Sequence, residues 1–318
     1  VSDLTNRASG RCLRFARMGL LEGKVVIVTG AGRGIGRGEA IECARQGAAV
    51  VLNELDAAAG QAVVDEITAA GGTAVVDSGD VSEVAAADAL IARALDEFGQ
   101  LDALVNNAGI LRDRTLVNMT AEEWDAVIRV HLRGHYAPTH AACGYWKTAG
   151  RSGHIVCTAS TSGLLGNFGQ SNYGAAKAGI AAFATIVAME MAKYGVTCNA
   201  IAPAARTRMT EGAYGNIGGG GADDYDFWHP DNVAPLVAFL SSDAAGHISG
   251  KVFGVQGDTV ELYRPWTSAA VVENAGSRWE PEKMASRVDE LFAESGIVPG
   301  AENMMAKLRY TMTNRGQG

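Results

Sequence analysis

Lys24-Val25-Val26-Ile27-Val28-Thr29-Gly30-Ala31-Gly32-Arg33-Gly34-Ile35-Gly36-Arg37-Gly38 decides how the chain is read. Its β-branched, apolar first half has the composition of a buried strand, and the glycines that follow form a turn leading into a helix that runs to Gln46. Glycine lets the backbone turn tightly and approach a pyrophosphate, which the exposed N–H groups and positive end of the helix then hold. The usual dinucleotide pattern Gly-x-Gly-x-x-Gly fails here. A start at Gly30 meets Ile35 where the third glycine belongs, and a start at Gly34 meets Glu39. What stands instead is Thr-Gly-x-x-x-Gly-x-Gly, with Gly30, Arg33, Gly34, Ile35 and Gly36 as the candidate cofactor contacts.

Outward from this turn, strands and helices alternate. Ala48–Leu52 is a second strand ending at Asn53-Glu54, residues 57–70 are helical, and Thr73–Val76 is a third strand followed by Asp80-Val81-Ser82. Ser82 is the expected cap of the helix from Glu83 to Phe98. Asp102–Val105 leads to Asn106-Asn107-Ala108-Gly109, whose asparagine amides can tie strand ends together. Thr120-Ala121-Glu122-Glu123 has the form of a capping box and opens a long helix through Val130. Strands at 154–158, 196–203 and 251–255 complete the set, with an apolar helical face at Val233, Leu236, Val237 and Leu240. This alternation predicts an α/β fold, a Rossmann-type doubly wound parallel sheet.

Tyr173 and Lys177 stand four residues apart, hence on one helical face. An ammonium beside a phenol favours the phenolate and lowers its pKa by roughly 1–3 units, which makes tyrosine a usable acid/base at neutral pH. Ser160 follows the apolar run His154–Ala159, at a strand's carboxyl end, where open α/β sheets place their ligands. Its hydroxyl can hydrogen-bond a substrate carbonyl while Tyr173 supplies the proton.

The glycine turn, Asn106-Asn107-Ala108-Gly109 and Ser160/Tyr173/Lys177, in this order, resemble the short-chain dehydrogenase/reductase family. The resemblance implies that Ser160 positions the reacting oxygen, that Tyr173 is the acid/base, and that Lys177 lowers its pKa and holds the nicotinamide ribose. It places Asp80 and Val81 at the adenine and Asn107 near the cofactor, the helix from Thr120 in a homodimer or homotetramer interface, and a substrate lid over residues 204–229, which contain Gly218–Gly221. Arg129–Gly134, Gly166–Tyr173 and Ala202–Thr210 narrow the likeness to the (3R)-hydroxyacyl-CoA dehydrogenase unit of peroxisomal multifunctional enzyme type 2 and its free-standing bacterial relatives, over residues 18 to 280. That likeness implies NAD-dependent interconversion of a (3R)-hydroxyacyl-CoA and a 3-ketoacyl-CoA, with a separate enoyl-CoA hydratase supplying substrate. Alternatives are a dehydrogenase for a free steroid or other secondary alcohol, a 3-oxoacyl-carrier-protein reductase, and a dinucleotide-binding protein without catalysis.

Two residues depart from the family pattern. His131 stands where the usual catalytic asparagine belongs, and Ala204 replaces the glycine of Pro-Gly. The hydroxyacyl-CoA relatives share the histidine, so His131 is read as a variant of the proton relay, against a helix-kink histidine with no chemical role. For the cofactor, Glu54 ends the second strand about 20 residues past the turn, where a carboxylate accepts hydrogen bonds from the adenosine ribose of NAD and repels the 2′-phosphate of NADP. Arg33 pulls the other way but can swing toward solvent, so NAD is expected. Arg112, Arg114, Arg206 and Arg208 are candidates for holding the phosphates of CoA.

With 27 Lys and Arg against 35 Asp and Glu, the 318-residue chain carries a net charge of −8, and nucleic acid is not an expected partner. The five cysteines, Cys12, Cys43, Cys143, Cys157 and Cys198, are scattered and odd in number. They suggest neither disulfides nor a metal site and fit a reducing cytoplasm. No apolar run of about 18 residues is expected to span a membrane. Residues 1–17 read as an extension ahead of the natural start, 18–257 as the dinucleotide-binding domain and 258–318 as a C-terminal extension packed on that domain. Met284, Val288, Leu291 and Phe292 form a packing stripe within it.

Overall fold

β1 (Val25–Thr29) is buried along its whole length, because it lies inside the sheet with helices on both faces. Its side chains alternate between two cores. Val26 and Val28 join α1 (Gly34–Arg45) and α2 (Ala57–Ala69), while Val25 and Ile27 join α3 (Val84–Phe98). Each fully buried Val, Ile or Leu contributes about 1.5–3 kcal/mol relative to exposure. The computed structural model describes residues 19–207 and 225–302. The expectations for residues 1–17, for Arg208 and Gly218–Gly221 within the lid, and for the last part of the extension fall outside these.

The remaining strands are β2 (Ala49–Asn53), β3 (Thr73–Asp77), β4 (Ala103–Asn106), β5 (Gly153–Thr158), β6 (Val196–Pro203), β7 (Val252–Gln256) and β8 (Thr259–Leu262). Their order is β3-β2-β1-β4-β5-β6-β7-β8. The direction of winding reverses between β1 and β4, and the strand carboxyl ends open a crevice there. All pairs are parallel except β7 with β8, which are antiparallel. The parallel sheet is as expected from the sequence, and β8 adds to it one antiparallel edge strand that was not. Its short run, with Val260 and Leu262 exposed, carries no buried-strand signal and depends on a tight turn through Gly257.

The capping box forms as read: Thr120 Oγ1 accepts from Glu123 N at 3.2 Å and Glu123 returns a bond to Thr120 N. The helix it opens is not continuous. α4 (Ala121–Ile128) passes into a π turn over Arg129–Arg133 and then into α5 (Gly134–Ala149). Pro138 lies four residues past Gly134, cannot donate to its carbonyl and crowds it, so the wide turn stands where α5 is relieved.

α6 (Thr161–Leu165), α7 (Ser171–Met191) and α8 (Ala234–Leu240) complete the helices flanking the sheet. Ser171–Tyr194 departs from the expectation about hydropathy: this 24-residue stretch contains an 18-residue window of mean hydropathy 1.4, long and apolar enough to cross a bilayer. Its Ala-rich face, with Ile180, Val187 and Met191, packs into the core instead, and it buries Asn172 and Lys177. In the extension, Met284, Val288, Leu291 and Phe292 are half-buried, on α9 (Pro281–Ala285), on α10 (Asp289–Ser295) and at the turn between them.

Candidate active site

The glycine turn is built for close approach. Gly30 and Gly34 have φ of +63° and +56°, and a Cβ at Gly36 would lie 2.3 Å from the Gly30 carbonyl oxygen. α1 begins at Gly34 with no side chain capping it, so its first N–H groups face the crevice as an anion site. Asn107 fastens the turn from below: its Nδ2 donates to Thr29 O at 3.0 Å and Gly30 O at 3.2 Å, and its N–H donates to Thr29 Oγ1 at 3.0 Å. Ile35 packs into the core beneath the turn.

Glu54 leaves the end of β2 and turns to the glycine turn, where its Oε2 accepts from Gly32 N at 3.0 Å and its Oε1 from Asp56 N at 3.2 Å. Arg33 does not swing freely, because its guanidinium pairs with Asp56 at 2.5 Å. Asp80 accepts from Ser82 N at 2.9 Å and Ser82 Oγ at 2.7 Å, and its other oxygen pairs with Arg129 at 2.8 Å. These bonds hold its carboxyl below the usual range against the upward push of burial. Ser82 is not the cap expected from the sequence: the cap residue is Glu83, without a side-chain bond, since the Ser82 hydroxyl is spent on Asp80. Val81 buries its side chain in the core, so a cofactor contact there is one of backbone.

Ser160, Tyr173 and Lys177 meet at the end of β5. Ser160 caps α6, and its Oγ accepts from Ser162 N at 3.2 Å. α6 lies directly on α7, because a Cβ at Gly163 would stand 2.4 Å from Ala178 N and 2.6 Å from Lys177 C. Lys177 is buried, donates from Nζ to Thr158 O at 2.5 Å, and lies 5.5 Å from the Tyr173 ring centroid. Burial pulls its pKa down to about 7, opposed by the fields of Cys157 and Glu39.

His131 sits in the π turn with its ring edge-on to Tyr173, centroids 5.1 Å apart. Its Nε2 lies 2.7 Å from the Ile110 carbonyl oxygen and 3.0 Å from the Ile110 N–H, so its tautomer decides which of the two it bonds, and Nδ1 is buried with no partner among the described residues. Burial and the Lys177 charge hold it neutral, well below the usual histidine range. Both sequence readings of His131 therefore have a structural counterpart: it occupies the irregular turn and its ring meets that of Tyr173.

Sequence reasoning missed three residues here. His135 donates from Nδ1 to the His131 carbonyl at 2.7 Å and accepts from Thr158 N at 3.2 Å, while Thr158 O holds Lys177. Burial pushes its pKa to about 3, so it stays neutral in this chain of bonds. Asn172 Nδ2 donates to Arg112 O at 3.0 Å and Glu123 O at 3.3 Å, pinning the first turn of α7 beside Tyr173. Glu39 is wholly buried, both carboxyl oxygens lack partners among the described residues, and burial raises its pKa to about 8 against the Lys177 charge. Only a polar letter among apolar ones, as at Glu39, could have flagged any of them. Of the arginines proposed for CoA, Arg114 pairs with Glu123 at 2.7 Å, Arg206 pairs with Asp226, and Arg112 donates to the neighbouring Leu111 O at 2.7 Å.

The profile of the short chain dehydrogenase family matches residues 24–215. The hydroxyacyl-CoA dehydrogenase ChsB1 of Mycobacterium tuberculosis is 44% identical over 297 residues, 90% of this chain and 93% of that protein. Peroxisomal multifunctional enzyme type 2 of Mus musculus is 38% identical over 278 residues, 85% of this chain but 37% of the relative, so the chain spans little more than a third of it. A crystal structure of a short chain dehydrogenase from Mycobacterium avium superposes with TM-score 0.80 at 43% identity, covering 89% of this chain and 98% of that one. With Ser160, Tyr173 and Lys177 gathered at a strand end beside a dinucleotide turn, the chain belongs to the short-chain dehydrogenase family, oxidoreductases acting on CH–OH groups.

Proposed function

We propose that this enzyme interconverts a (3R)-hydroxyacyl-CoA and a 3-ketoacyl-CoA with NAD, in the β-oxidation of fatty acyl or steroid side-chain thioesters. The observation that carries the reading is the convergence of Ser160, Tyr173 and Lys177 at the end of β5, in a chain similar over nine-tenths of its length to a hydroxyacyl-CoA dehydrogenase. The residues present fit a nicotinamide dinucleotide: the turn is packed tight on itself and on Asn107, with no room for a Cβ at Gly36, and the uncapped start of α1 suits a pyrophosphate. When bound, the nicotinamide accepts a hydride from the carbinol carbon.

In the oxidative direction Tyr173 Oη takes the proton of the substrate hydroxyl. Ser160 Oγ, fixed by its capping bond, holds the same oxygen as it becomes a carbonyl. The Lys177 ammonium, held by Thr158 O, stabilises the phenolate that this transfer requires. His135 and Asn172 act on neither substrate nor proton; they hold the strand end and the helix start in register.

NAD use rests on Glu54, whose carboxylate would face a 2′-phosphate at close range. Calorimetry is expected to show NAD binding more tightly than NADP, and Glu54→Ser to narrow the preference by about tenfold. Tighter binding of NADP to the wild type would defeat this reading.

A 3-hydroxyacyl thioester arises by adding water to a 2-enoyl thioester, so an enoyl-CoA hydratase precedes this step. A turnover screen of 3-hydroxyacyl-CoAs from short chains to steroid-linked ones, run beside the free acids, free alcohols and carrier-protein thioesters, tests the reading. CoA thioesters are expected to exceed the others in kcat/KM. Preference for a carrier-protein thioester or a free alcohol would replace the proposal.

A further inference from the structure

Arg33 is the last residue before α1, and its side chain reaches across to the loop after β2, where it meets Asp56 at 2.5 Å. Asp56 cannot follow it elsewhere. Its Oδ1 accepts from Ala59 N at 3.2 Å as the N-cap of α2, and its own N–H donates to Glu54 Oε1 at 3.2 Å. Glu54 in turn is tied to Gly32. One cation and two carboxylates are thus locked together beside the glycine turn.

We propose that Asp56 is a specificity-determining residue: by holding the Arg33 guanidinium it withholds from the adenosine 2′ position the only base the turn contributes there, and so reinforces the choice of NAD over NADP. The inference deepens the NAD reading and rests on it. An arginine fork is a strong ligand for a phosphate when it is free to turn toward one. Here it must first leave Asp56, which its capping bond to Ala59 N holds in place. Both partners are about half exposed, so the ion pair contributes little to folding. Its effect lies in where the guanidinium points. The Ala59 amide and Arg33 both hold the Asp56 carboxyl below the usual range, so it is charged throughout the neutral region.

Asp56→Asn separates charge from structure, since asparagine caps helices as well as aspartate. Titration calorimetry of the full chain with NADP is expected to show about tenfold tighter binding in Asp56→Asn, with NAD affinity changed by no more than about twofold. The gain should vanish when Arg33→Ala is added and should shrink with rising salt. Asp56→Ser, which keeps a capping oxygen, provides an independent repeat with the same expectation. An unchanged NADP affinity in both Asp56 variants, or a gain that survives Arg33→Ala, would overturn the proposal. A wild type that prefers NADP defeats the NAD reading by itself. The Asp56 inference is decided separately, by the change between the Arg33 and Arg33→Ala backgrounds.

Discussion

Tyr173→Phe is expected to lower kcat by about 10²–10⁴-fold while dinucleotide affinity stays within about threefold of the wild type. The substitution removes one hydroxyl and leaves a ring of the same shape. The edge contact with His131 at 5.1 Å and the Lys177 ammonium at 5.5 Å from the ring both persist. Asn172 still pins the first turn of α7 through Arg112 O and Glu123 O. Loss of turnover therefore measures the missing proton transfer and not a displaced helix. Steady-state kinetics with a 3-hydroxyacyl-CoA, together with fluorescence titration by NADH, separate the two. Retention of kcat within tenfold would assign the proton to another group.

Replacing Glu39 by Met is expected to stabilise the fold, and by more as the pH rises. Burial lifts the Glu39 pKa to about 8, against 4.5 for an ordinary glutamate. Between those values the folded chain keeps a proton that the unfolded chain has released, so folding stability falls with rising pH at up to about 1.4 kcal/mol per unit. The loss begins above pH 4.5 and levels off near 8. Lys177 works in the opposite sense. Its pKa is pulled down from 10.5 to about 7, so its cost is greatest at and below 7 and is relieved toward 10.5. Lys177 is present in both proteins, and the difference between them isolates Glu39 over most of the window. Cys43, the other ionisable group beside Glu39, has its thiol pushed far up by burial and stays neutral throughout. Urea denaturation at pH 5, 6.5 and 8 should show Glu39→Met gaining little at pH 5 and several kcal/mol at pH 8. A gain independent of pH would mean that Glu39 is already ionised in the folded chain.

The elements legible in the sequence are those whose signal is local. β1, the glycine turn and α1 are encoded in consecutive residues, the Tyr173 and Lys177 pair in a spacing of four, and the Thr120 capping box in a spacing of three. What escaped reading depends on partners far away in the chain. Asn172 works through a carbonyl 60 residues earlier, and His135 through an amide 23 residues later. β8 exists because β7 offers it an edge. Arg33 likewise finds its partner outside its own turn, in the acid at Asp56, 23 residues later, which the parallel pairing of β1 with β2 brings beside it.

The contact of α6 with α7 at Gly163 has a consequence for which substitutions the chain accepts. Main chain lies against main chain there, and a peptide backbone has no rotamers to exchange. How closely the helix after Ser160 approaches the helix of Tyr173 and Lys177 is therefore set at Gly163 by backbone, and any side chain there would push the two apart. Side chains share the joining elsewhere nearby, as where the segment of Arg114 meets that of Gln170 through an isolated β-bridge and Asp113 accepts from the Gln170 amide. Segments joined in that way tolerate substitution, whereas Gly163 does not.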